Sequence, residues 1–221
     1  LYVSQMLNKK KRVLFEGAQG TLLDLLHGTY PFVTSSSTSA GGALTGVGIG
    51  PQSIQKIIGI TKAYTTRVGT GPFPTELEDE VGNMIQQKGA EFGATTGRRR
   101  RCGWLDLVAL KYAIRVNGIT SLALMKLDVL TGFDKIAVAT AYKLNGKTIK
   151  DFPTSASELE QVEPVLKYFK GWSKDLAGIR KKSQLPKEAQ SYIKYIESQV
   201  GVGADIISTG PDREDTIWVK P

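Results

Sequence analysis

The sequence predicts a mixed α/β fold, with a mostly parallel central sheet, flanking helices and small antiparallel hairpin elements. Short apolar runs alternate along the chain with segments of helical periodicity, which is typical of βαβ units. Hydrophobic residues make up 41% of the 221 residues, enough to bury a sizeable core. No internal repeat and no flexible linker divides the sequence, so we expect residues 1–221 to form part of one domain.

The composition excludes several classes of protein. Charged residues at 23% and aromatic residues at 8% are ordinary for a globular domain and exclude collagen and low-complexity disorder. Cys102 is the single cysteine, so the chain can form neither an intrachain disulfide nor a cysteine-based structural zinc site. No apolar run approaches the ~20 residues that a membrane span needs. We therefore expect no membrane contact and a cytoplasmic location.

Elements in the first half of the chain follow from apolar runs and from turn residues. Residues 13–15 predict a buried strand near the start of the sequence, which suggests that earlier strands are missing and that the chain is a piece of a longer protein. Thr75 and Glu78 resemble a capping box, and Gly89 ends the helix that would follow. The remaining elements expected here are a short helix at 20–26, an ordered loop at 31–50, a helix from 51 to about 58, a strand at 60–68, and helices at 75–88 and 105–116. Asn117-Gly118 is the expected stop of the last of these helices.

The second half contains a strong hairpin signal. Asn145-Gly146 separates two runs at 135–144 and 147–152, and this dipeptide favours a tight two-residue turn. Gly201 ends a helix that begins at Pro186. The other expected elements are strands at 122–127, 204–207 and 216–219, with loops and short helices between 153 and 184.

Three features resemble functional motifs but are better explained structurally. The glycines at 46–50 lack the G-x-G-x-x-G spacing of a dinucleotide turn and follow a loop rather than a strand. Gly146-Lys147-Thr148 ends like a phosphate-binding loop but lies in the hairpin. His27 is the only histidine and precedes Gly28, so we expect it to close a short helix, with an acid–base role as the lesser alternative.

The net charge of +8 comes from two short segments. Lys9–Arg12 and Arg98–Arg101 are consecutive basic residues. Without these eight, 21 of the 29 basic residues remain, which equals the number of acidic ones. A nucleic-acid-binding protein usually spreads its basic residues along a face. We therefore expect small anionic ligands for at least one of the two segments.

Residues 93–101 are the most informative segment. Gly93 and Gly97 flank two threonines, and four arginines follow with no acidic residue nearby in the sequence. Arginine binds carboxylates and phosphates bidentately, and adjacent guanidinium groups repel one another unless anions neutralise them. The segment predicts an anion site, although a solvated basic run or a nucleic-acid patch stays open.

Two loops follow apolar strands in a way that suits a nucleobase. Lys126-Leu127-Asp128 closes one predicted strand, and Ser208-Thr209-Gly210 comes directly after another. Ligands of open α/β sheets bind outside the carboxyl ends of the strands, so the two loops could form the two walls of one base pocket. A carboxylate there can accept from guanine N1–H and the 2-amino group, with the lysine stem over the ring. The alternative is that Asp128 caps the turn that follows.

Together these segments resemble the adenylosuccinate synthetase family. The matching motifs, in order, are FEGAQGTLLD, HGTYPFVTSS, TRVGTGPFPTEL, EFGATTGRRRRCGWLD, KLDVL and ISTGPDR. They cover the chain from about Val13 onwards and resemble the C-terminal half of that family. The resemblance implies a GTP-dependent ligase, a homodimer that uses Mg²⁺ and joins inosine monophosphate (IMP) and L-aspartate in purine nucleotide biosynthesis.

The resemblance also implies roles for individual residues. Those implied to bind IMP are Gln19, Thr34 and Arg98. Those implied to bind L-aspartate are Ala94, Thr95, Thr96, Gly97, Arg98, Arg99 and Arg100. Those implied to bind GTP are Arg100, Lys126, Leu127, Asp128, Ser208, Thr209 and Gly210.

The family's phosphate loop, catalytic aspartate, catalytic histidine and Mg²⁺ ligand have no counterpart in this sequence. We therefore expect no catalytic or metal-binding residue here and no synthetase activity from these residues alone. Two further hypotheses are a nucleotide-sensing module without catalysis and a non-enzymatic nucleic-acid binder that uses the basic segments.

Overall fold

The structure, a computed structural model, describes residues 1–93, 97–153 and 155–219. The strands are β1 (Ile58–Lys62), β2 (Thr65–Arg67), β3 (Arg101–Gly103), β4 (Leu105–Asp106), β5 (Ser121–Met125), β6 (Lys135–Leu144), β7 (Lys147–Ile149), β8 (Glu163–Lys170), β9 (Ala204–Ser208) and β10 (Thr216–Trp218). The helices are α1 (Tyr2–Asn8), α2 (Ala40–Val47), α3 (Glu80–Lys88), α4 (Leu107–Asn117), α5 (Ala156–Leu159) and α6 (Lys187–Val200).

The central sheet confirms the predicted fold class. Its strand order is β1-β5-β9-β10, with β1, β5 and β9 parallel and β10 antiparallel. The carboxyl ends of the three parallel strands therefore lie at one edge, where Lys62, Met125 and Ser208 are the last strand residues. β1 is the outermost described strand, and Ile60 on it is 78% exposed.

A second sheet contains the predicted hairpin. β6 and β7 pair through Asn145-Gly146, and both residues have positive φ, 50° and 76°, as a type I′ turn requires. β8 pairs antiparallel with almost the whole length of β6. The expectation of loops and short helices at 153–184 was wrong for this eight-residue strand.

The core lies between the central sheet and helices α4 and α6. Leu107, Leu124 and Ile193 are fully buried in one hydrophobic cluster. Tyr192 is also buried, and its hydroxyl donates to the carbonyl oxygen of Ala63 at 2.7 Å. This bond ties α6 to the segment that follows β1, so the helix supports the edge where the parallel strands end.

Residues 13–15 do not form the expected strand. Leu14 is 89% exposed, and no described strand lies beside this segment. An extended run becomes a strand only when a neighbour supplies hydrogen bonds along its length. The expected strand at 60–68 divides into the end of β1 and β2, and the segment at 20–26 contains one 3₁₀ turn, Thr21–Leu23.

Helix starts also differ from the sequence-based expectation. α3 begins at Glu80 because Asp79, rather than Thr75, caps it by accepting from the backbone N–H of Gly82 at 3.0 Å. α4 begins two residues later than expected, after Asp106 has paired in β4 and capped the helix. The stops at Gly89, Gly118 and Gly201 are confirmed.

The glycine-rich region at 31–50 is only partly a loop. It contains α2, which ends at Gly48 with φ of 67°. The helix expected from Pro51 is a single 3₁₀ turn, Pro51–Ser53. Within the described residues, no helix is both long enough and apolar enough to cross a membrane.

Candidate functional site

The arginine segment folds back on the residues before it. Phe92 pairs with Arg99 in an antiparallel bridge. The backbone N–H of Arg100 donates to the backbone carbonyl of Glu91 at 2.9 Å, and that of Gly93 donates to the carbonyl of Arg98 at 2.7 Å. We call residues 91–93 and 97–100 the arginine hairpin. Ala94, Thr95 and Thr96 lie outside the described residues. Gly97 at the tip has φ of 61°, and Arg98 beside it is exposed.

Two of the four arginines are neutralised by carboxylates of this chain. Arg101 donates to the carboxylate of Glu76 through Nε at 2.7 Å and to the carbonyl of Gly71 at 2.8 Å. Arg100 donates to Glu91 at 2.8 Å. Both carboxylates come from earlier segments that the chain folds against the arginines.

Arg99 is held by an amide rather than by a charge. Its Nε donates to Oε1 of Gln86 at 2.8 Å, and Nε2 of Gln86 donates to the carbonyl of Arg100 at 2.9 Å. Gln86 lies on α3, so this helix fixes the second strand of the arginine hairpin. Arg99 therefore faces α3.

Glu91 is the centre of a cluster of charged groups at the carboxyl edge of the central sheet. Its side chain is fully buried. It accepts from Nζ of Lys62 at 2.8 Å and from Nζ of Lys126 at 3.0 Å, in addition to Arg100. The Tyr64 hydroxyl donates to the same carboxylate at 2.5 Å. We call Glu91, Lys62, Arg100 and Lys126 the Glu91 cluster.

The protonation states of this cluster follow from its contacts. Burial opposes ionisation of Glu91, but hydrogen bonds from Lys62, Tyr64 and Lys126 outweigh it and lower the pKa of the carboxyl to about 2. Burial lowers the pKa of Lys62, and the bond to Glu91 opposes that shift. With three cations and one carboxylate, the cluster keeps an excess positive charge of two. It therefore favours anions at this edge.

The two predicted base loops are adjacent. The N–H of Leu127 donates to the carbonyl of Ser208 at 3.2 Å, which joins the loop after β5 to the loop after β9. Lys126 has φ of 60°, and its Nζ also donates to the carbonyl of Gly89 at 2.5 Å. These two loops and the arginine hairpin thus meet at one edge of the sheet, as the sequence predicted for the loops.

Asp128 presents an unused acceptor. Its Oδ1 is buried and has no hydrogen-bond partner among the described residues. Burial raises the pKa of this carboxyl, and its own and the Val129 backbone N–H groups oppose the rise. The 3₁₀ turn at Asp128–Leu130 begins without a side-chain cap bond. The Val129 N–H at this carboxyl supports the capping alternative, whereas the unpartnered Oδ1 suits a ligand that donates a hydrogen bond.

Ser208 and Thr209 use their hydroxyls inside the protein. Ser208 Oγ donates to the carbonyl of Gly210 at 2.8 Å, and Thr209 Oγ1 donates to the carbonyl of Asp215 at 3.2 Å. Both side chains are buried. A ligand at this loop would therefore meet backbone groups and the Gly210 surface rather than the two hydroxyls.

Gln19 and Thr34 lie on loops that are organised around Asp24. This carboxylate accepts from the backbone N–H groups of Leu26, His27, Thr38 and Ser39 and from Ser37 Oγ, at 2.6–3.1 Å. Burial opposes ionisation, but the backbone donors hold the pKa of Asp24 far below its usual range. Gln19 is exposed with φ of 61°, and the N–H of Thr34 donates to Leu23 at 2.8 Å.

Arg67 connects these loops to the arginine segment. It lies on β2 opposite Arg101 of β3. Its Nη2 donates to Thr29 Oγ1 at 2.9 Å and to the carbonyl of Phe32 at 3.3 Å. His27 is held in the same region through its backbone. Its carbonyl accepts from the Tyr112 hydroxyl at 2.7 Å, and its N–H donates to the carboxylate of Asp24 at 3.0 Å.

Comparison with known proteins decides the family. The profile of the adenylosuccinate synthetase family matches residues 1–217. The chain belongs to the adenylosuccinate synthetase family. The adenylosuccinate synthetase of Bdellovibrio bacteriovorus is 66% identical over all 221 residues, and that of Caldanaerobacter subterraneus is 59% identical over 210 residues. Those matches cover 100% and 95% of this chain, but 51% and 49% of the relatives.

Solved structures give the same result for the fold. The fully ligated adenylosuccinate synthetase of Plasmodium falciparum matches with a TM-score of 0.96 and 39% identity, over 99% of this chain and 53% of that one. The cyanophage S-2L succinoaminodeoxyadenylate synthetase, at a TM-score of 0.59 and 16% identity, shares the fold. The chain thus spans about half the length of its relatives. Its placement in their C-terminal half stays a prediction from the order of the motifs.

Sequence reasoning missed three residues of the site. Glu91 lies within a matching motif, but a single glutamate before a phenylalanine gives no local signal of a buried ion cluster. Tyr64 and Lys62 were also overlooked. Lys62 could have been found, because it ends an apolar strand in the same way that Lys126 follows one.

Proposed function

We propose that the protein containing this chain is a GTP-dependent ligase that joins IMP and L-aspartate to form adenylosuccinate, in the AMP branch of purine biosynthesis. The observation that carries the proposal is the meeting of the arginine hairpin with the base loop of Lys126–Asp128 at the carboxyl edge of the parallel sheet. Family membership supports the reaction, and the geometry supports the division of the edge into an anion site and a base site.

GTP is proposed to bind across that edge. Asp128 accepts from guanine N1–H and the 2-amino group, because its buried Oδ1 has no partner among the described residues. The stem of Lys126 and the backbone of Leu127 flank the base, and the Ser208–Gly210 turn forms the opposite wall. Arg100 contacts the phosphates with the N–H groups that Glu91 leaves available, since the carboxylate takes Nη1.

L-Aspartate is proposed to bind at the tip of the arginine hairpin. The family resemblance assigns residues 94–97 to this site, and Arg98 is proposed to pair with a carboxylate. Arg98 also contacts the ribose of IMP. Gln19 offers a donor and an acceptor to the hypoxanthine edge, and Thr34 a hydroxyl. Arg99, which is bound to Gln86, and Arg100, which is bound to Glu91, are proposed to form part of the wall of this site.

In the proposed reaction, GTP phosphorylates the 6-oxygen of IMP after N1 loses its proton, and the amine of aspartate then displaces phosphate. The groups that move these protons belong to the part of the protein outside this chain. The residues of this chain bind and orient the three substrates and reject nucleotides whose base is not guanine. This division assigns positioning, rather than proton transfer, to residues 1–221.

Mg²⁺ is part of the proposal, as a charge-neutralising partner of the nucleotide phosphates. The described residues contain no group of three or more His, Cys, Asp or Glu side chains that could hold a metal ion. They do not fit as a complete Mg²⁺ site, so no step is assigned to the metal here. Homodimer formation and a cytoplasmic location are likewise proposals from the family.

The proposal is tested with the full-length protein. Purified protein is mixed with GTP, IMP, L-aspartate and Mg²⁺, and adenylosuccinate is measured by absorbance and by mass spectrometry. Each substrate is omitted in turn, and ATP replaces GTP in a parallel reaction. Product that requires all three substrates and GTP supports the proposal. Tight nucleotide binding without product would favour the nucleotide-sensing alternative and overturn it.

A nucleic-acid-binding function is less well supported. The described contacts engage Arg99, Arg100 and Arg101 with Gln86, Glu91 and Glu76, so these arginines are not a row of solvated charges.

A further inference from the structure

Glu91 joins two subsites that the proposed function treats separately. One carboxylate oxygen accepts from Arg100 of the arginine hairpin at 2.8 Å, and the other accepts from Lys126 of the base loop at 3.0 Å. Arg100 serves the phosphates and the aspartate loop, whereas Lys126 serves the guanine. No other described carboxylate contacts both side chains.

The backbone of Glu91 is also fixed. Its N–H donates to the carbonyl of Gln86 at 2.9 Å, and its carbonyl accepts from the N–H of Arg100 at 2.9 Å. The Tyr64 hydroxyl donates to its side chain, which is fully buried. A carboxylate held on so many sides cannot follow one cation without affecting the other. Its position therefore depends on both loops at once.

We propose that Glu91 is a positioning residue that couples guanine-nucleotide binding to L-aspartate binding. The inference rests on the proposed function of the site. Each ligand needs the same ordered arrangement of Lys126, Glu91 and Arg100. The first ligand to bind orders the cluster, and the second binds to an arrangement that is already ordered. Coupling of this kind is reciprocal, so each ligand raises the affinity for the other by the same factor.

The sharpest variant removes the link and leaves the charge of the Glu91 cluster unchanged. Replacing Glu91 alone would leave three cations without their shared carboxylate. The double variant Glu91→Gln/Lys62→Met removes one negative and one positive charge together. The excess positive charge that attracts anions is then preserved, while the charged bridge between Arg100 and Lys126 is lost.

The measurement is the dissociation constant of L-aspartate for the full-length protein, by calorimetry at saturating IMP, with and without GDP. We expect GDP to tighten aspartate binding at least about 5-fold in the native protein. In the double variant we expect the two constants to agree within about 2-fold. A residue that only stabilised the fold would weaken both constants and leave their ratio intact.

Two controls separate the link from general damage. Lys62→Met alone keeps Glu91 bound to Arg100 and Lys126, so its ratio stays near the native value. Glu76→Gln breaks a carboxylate–arginine pair at the neighbouring Arg101, which contacts neither Lys126 nor Glu91 in the described structure, and should also leave the ratio unchanged. Thermal unfolding shows whether each variant is folded.

Three outcomes overturn the inference. A double variant with the native ratio would show that Glu91 does not carry the coupling, and a native ratio of one would show that there is none. If the double variant does not fold, Lys126→Gln breaks the same link from the other side. A native ratio in that variant, whatever its affinity for GDP, would be the third outcome. A native protein that binds neither GDP nor L-aspartate would instead contradict the proposed function itself.

Discussion

Tyr142 donates a hydrogen bond of 2.5 Å from its hydroxyl to Oδ2 of Asp106, and both side chains are buried. The other carboxylate oxygen of Asp106 caps α4 by accepting from the N–H groups of Val108 and Ala109 at 3.0 and 3.1 Å. Burial raises the pKa of Asp106 to about 6, and these hydrogen bonds oppose the rise. The contact joins the second sheet to the start of α4.

This pair predicts a pH dependence of stability. The folded protein holds the Asp106 proton more tightly than the unfolded chain, whose carboxyl has a pKa near 3.8. The stabilisation is complete below pH 4 and is lost as pH rises from about 4 to about 6. A shift of about two pKa units corresponds to roughly 3 kcal/mol. Asp106→Asn, which keeps a capping oxygen, should lack this contribution.

The check is urea unfolding of the full-length protein and of Asp106→Asn at pH 4.5 and pH 7.5. The stability difference, native minus variant, should decrease by about 2 kcal/mol between the two pH values. Because other titrating groups are common to both proteins, they cancel in this difference. The same difference at both pH values would mean that Asp106 is not protonated in the folded state.

The arginine hairpin predicts that neighbouring arginines have different functions. Arg98→Leu in the full-length protein should raise the aspartate KM about 30-fold or more, because losing one side of a charged pair costs ~2–5 kcal/mol. Arg101→Leu should instead lower stability and leave the aspartate KM nearly unchanged, since Arg101 is bound to Glu76 and Gly71. Steady-state kinetics and thermal unfolding separate the two. Equal KM effects would indicate a diffuse electrostatic role for the whole segment.

Asp128 is predicted to select guanine. Asp128→Asn replaces one acceptor with a donor, so GTP use should fall by about 2–4 kcal/mol of transition-state binding, and xanthosine triphosphate should partly restore it. The reason is that xanthine carries a 2-oxo group where guanine carries the amine. The comparison is kcat/KM for both nucleotides in native and variant protein. A parallel loss for both would make Asp128 a structural residue.

The isolated chain is predicted to be inactive. A pure sample of residues 1–221 with GTP, IMP, L-aspartate and Mg²⁺ should produce no adenylosuccinate, because the groups proposed to move protons lie elsewhere in the protein. The full-length protein under the same conditions is the control. Turnover by the 221-residue sample would show that these residues contain a complete catalytic site.

Local signals in the sequence predicted local structure well. Asn145-Gly146 fixed the β6–β7 hairpin, since two consecutive positive φ values suit few other dipeptides. Gly118 and Gly201 marked helix ends for the same reason, each adopting the left-handed conformation. β8 was missed because Pro164 and its mixture of charged and aromatic residues hide the alternation, although pairing with β6 makes it a strand.

Signals that depend on distant partners could not be interpreted in the same way. Residues 13–15 have the composition of a strand but lack a described neighbour. The partners of Arg100 and Arg101, Glu91 and Glu76, come from 9 and 25 residues earlier in the chain, and nothing in the spacing indicates either pair. The strand-end loops were predicted correctly as neighbours because parallel strands place their ends together whatever the side chains are.

The exposed outer edge of β1 affects how this chain behaves on its own. The edge offers unpaired backbone N–H and C=O groups, and the adjoining Ile58 and Ile60 are 42% and 78% exposed. Residues 58–61 of this edge contain no charged residue or proline to block it, so strands of other molecules can add there. Solutions of the 221-residue polypeptide should therefore scatter more light as its concentration rises, and a lysine at position 60 should suppress that self-association.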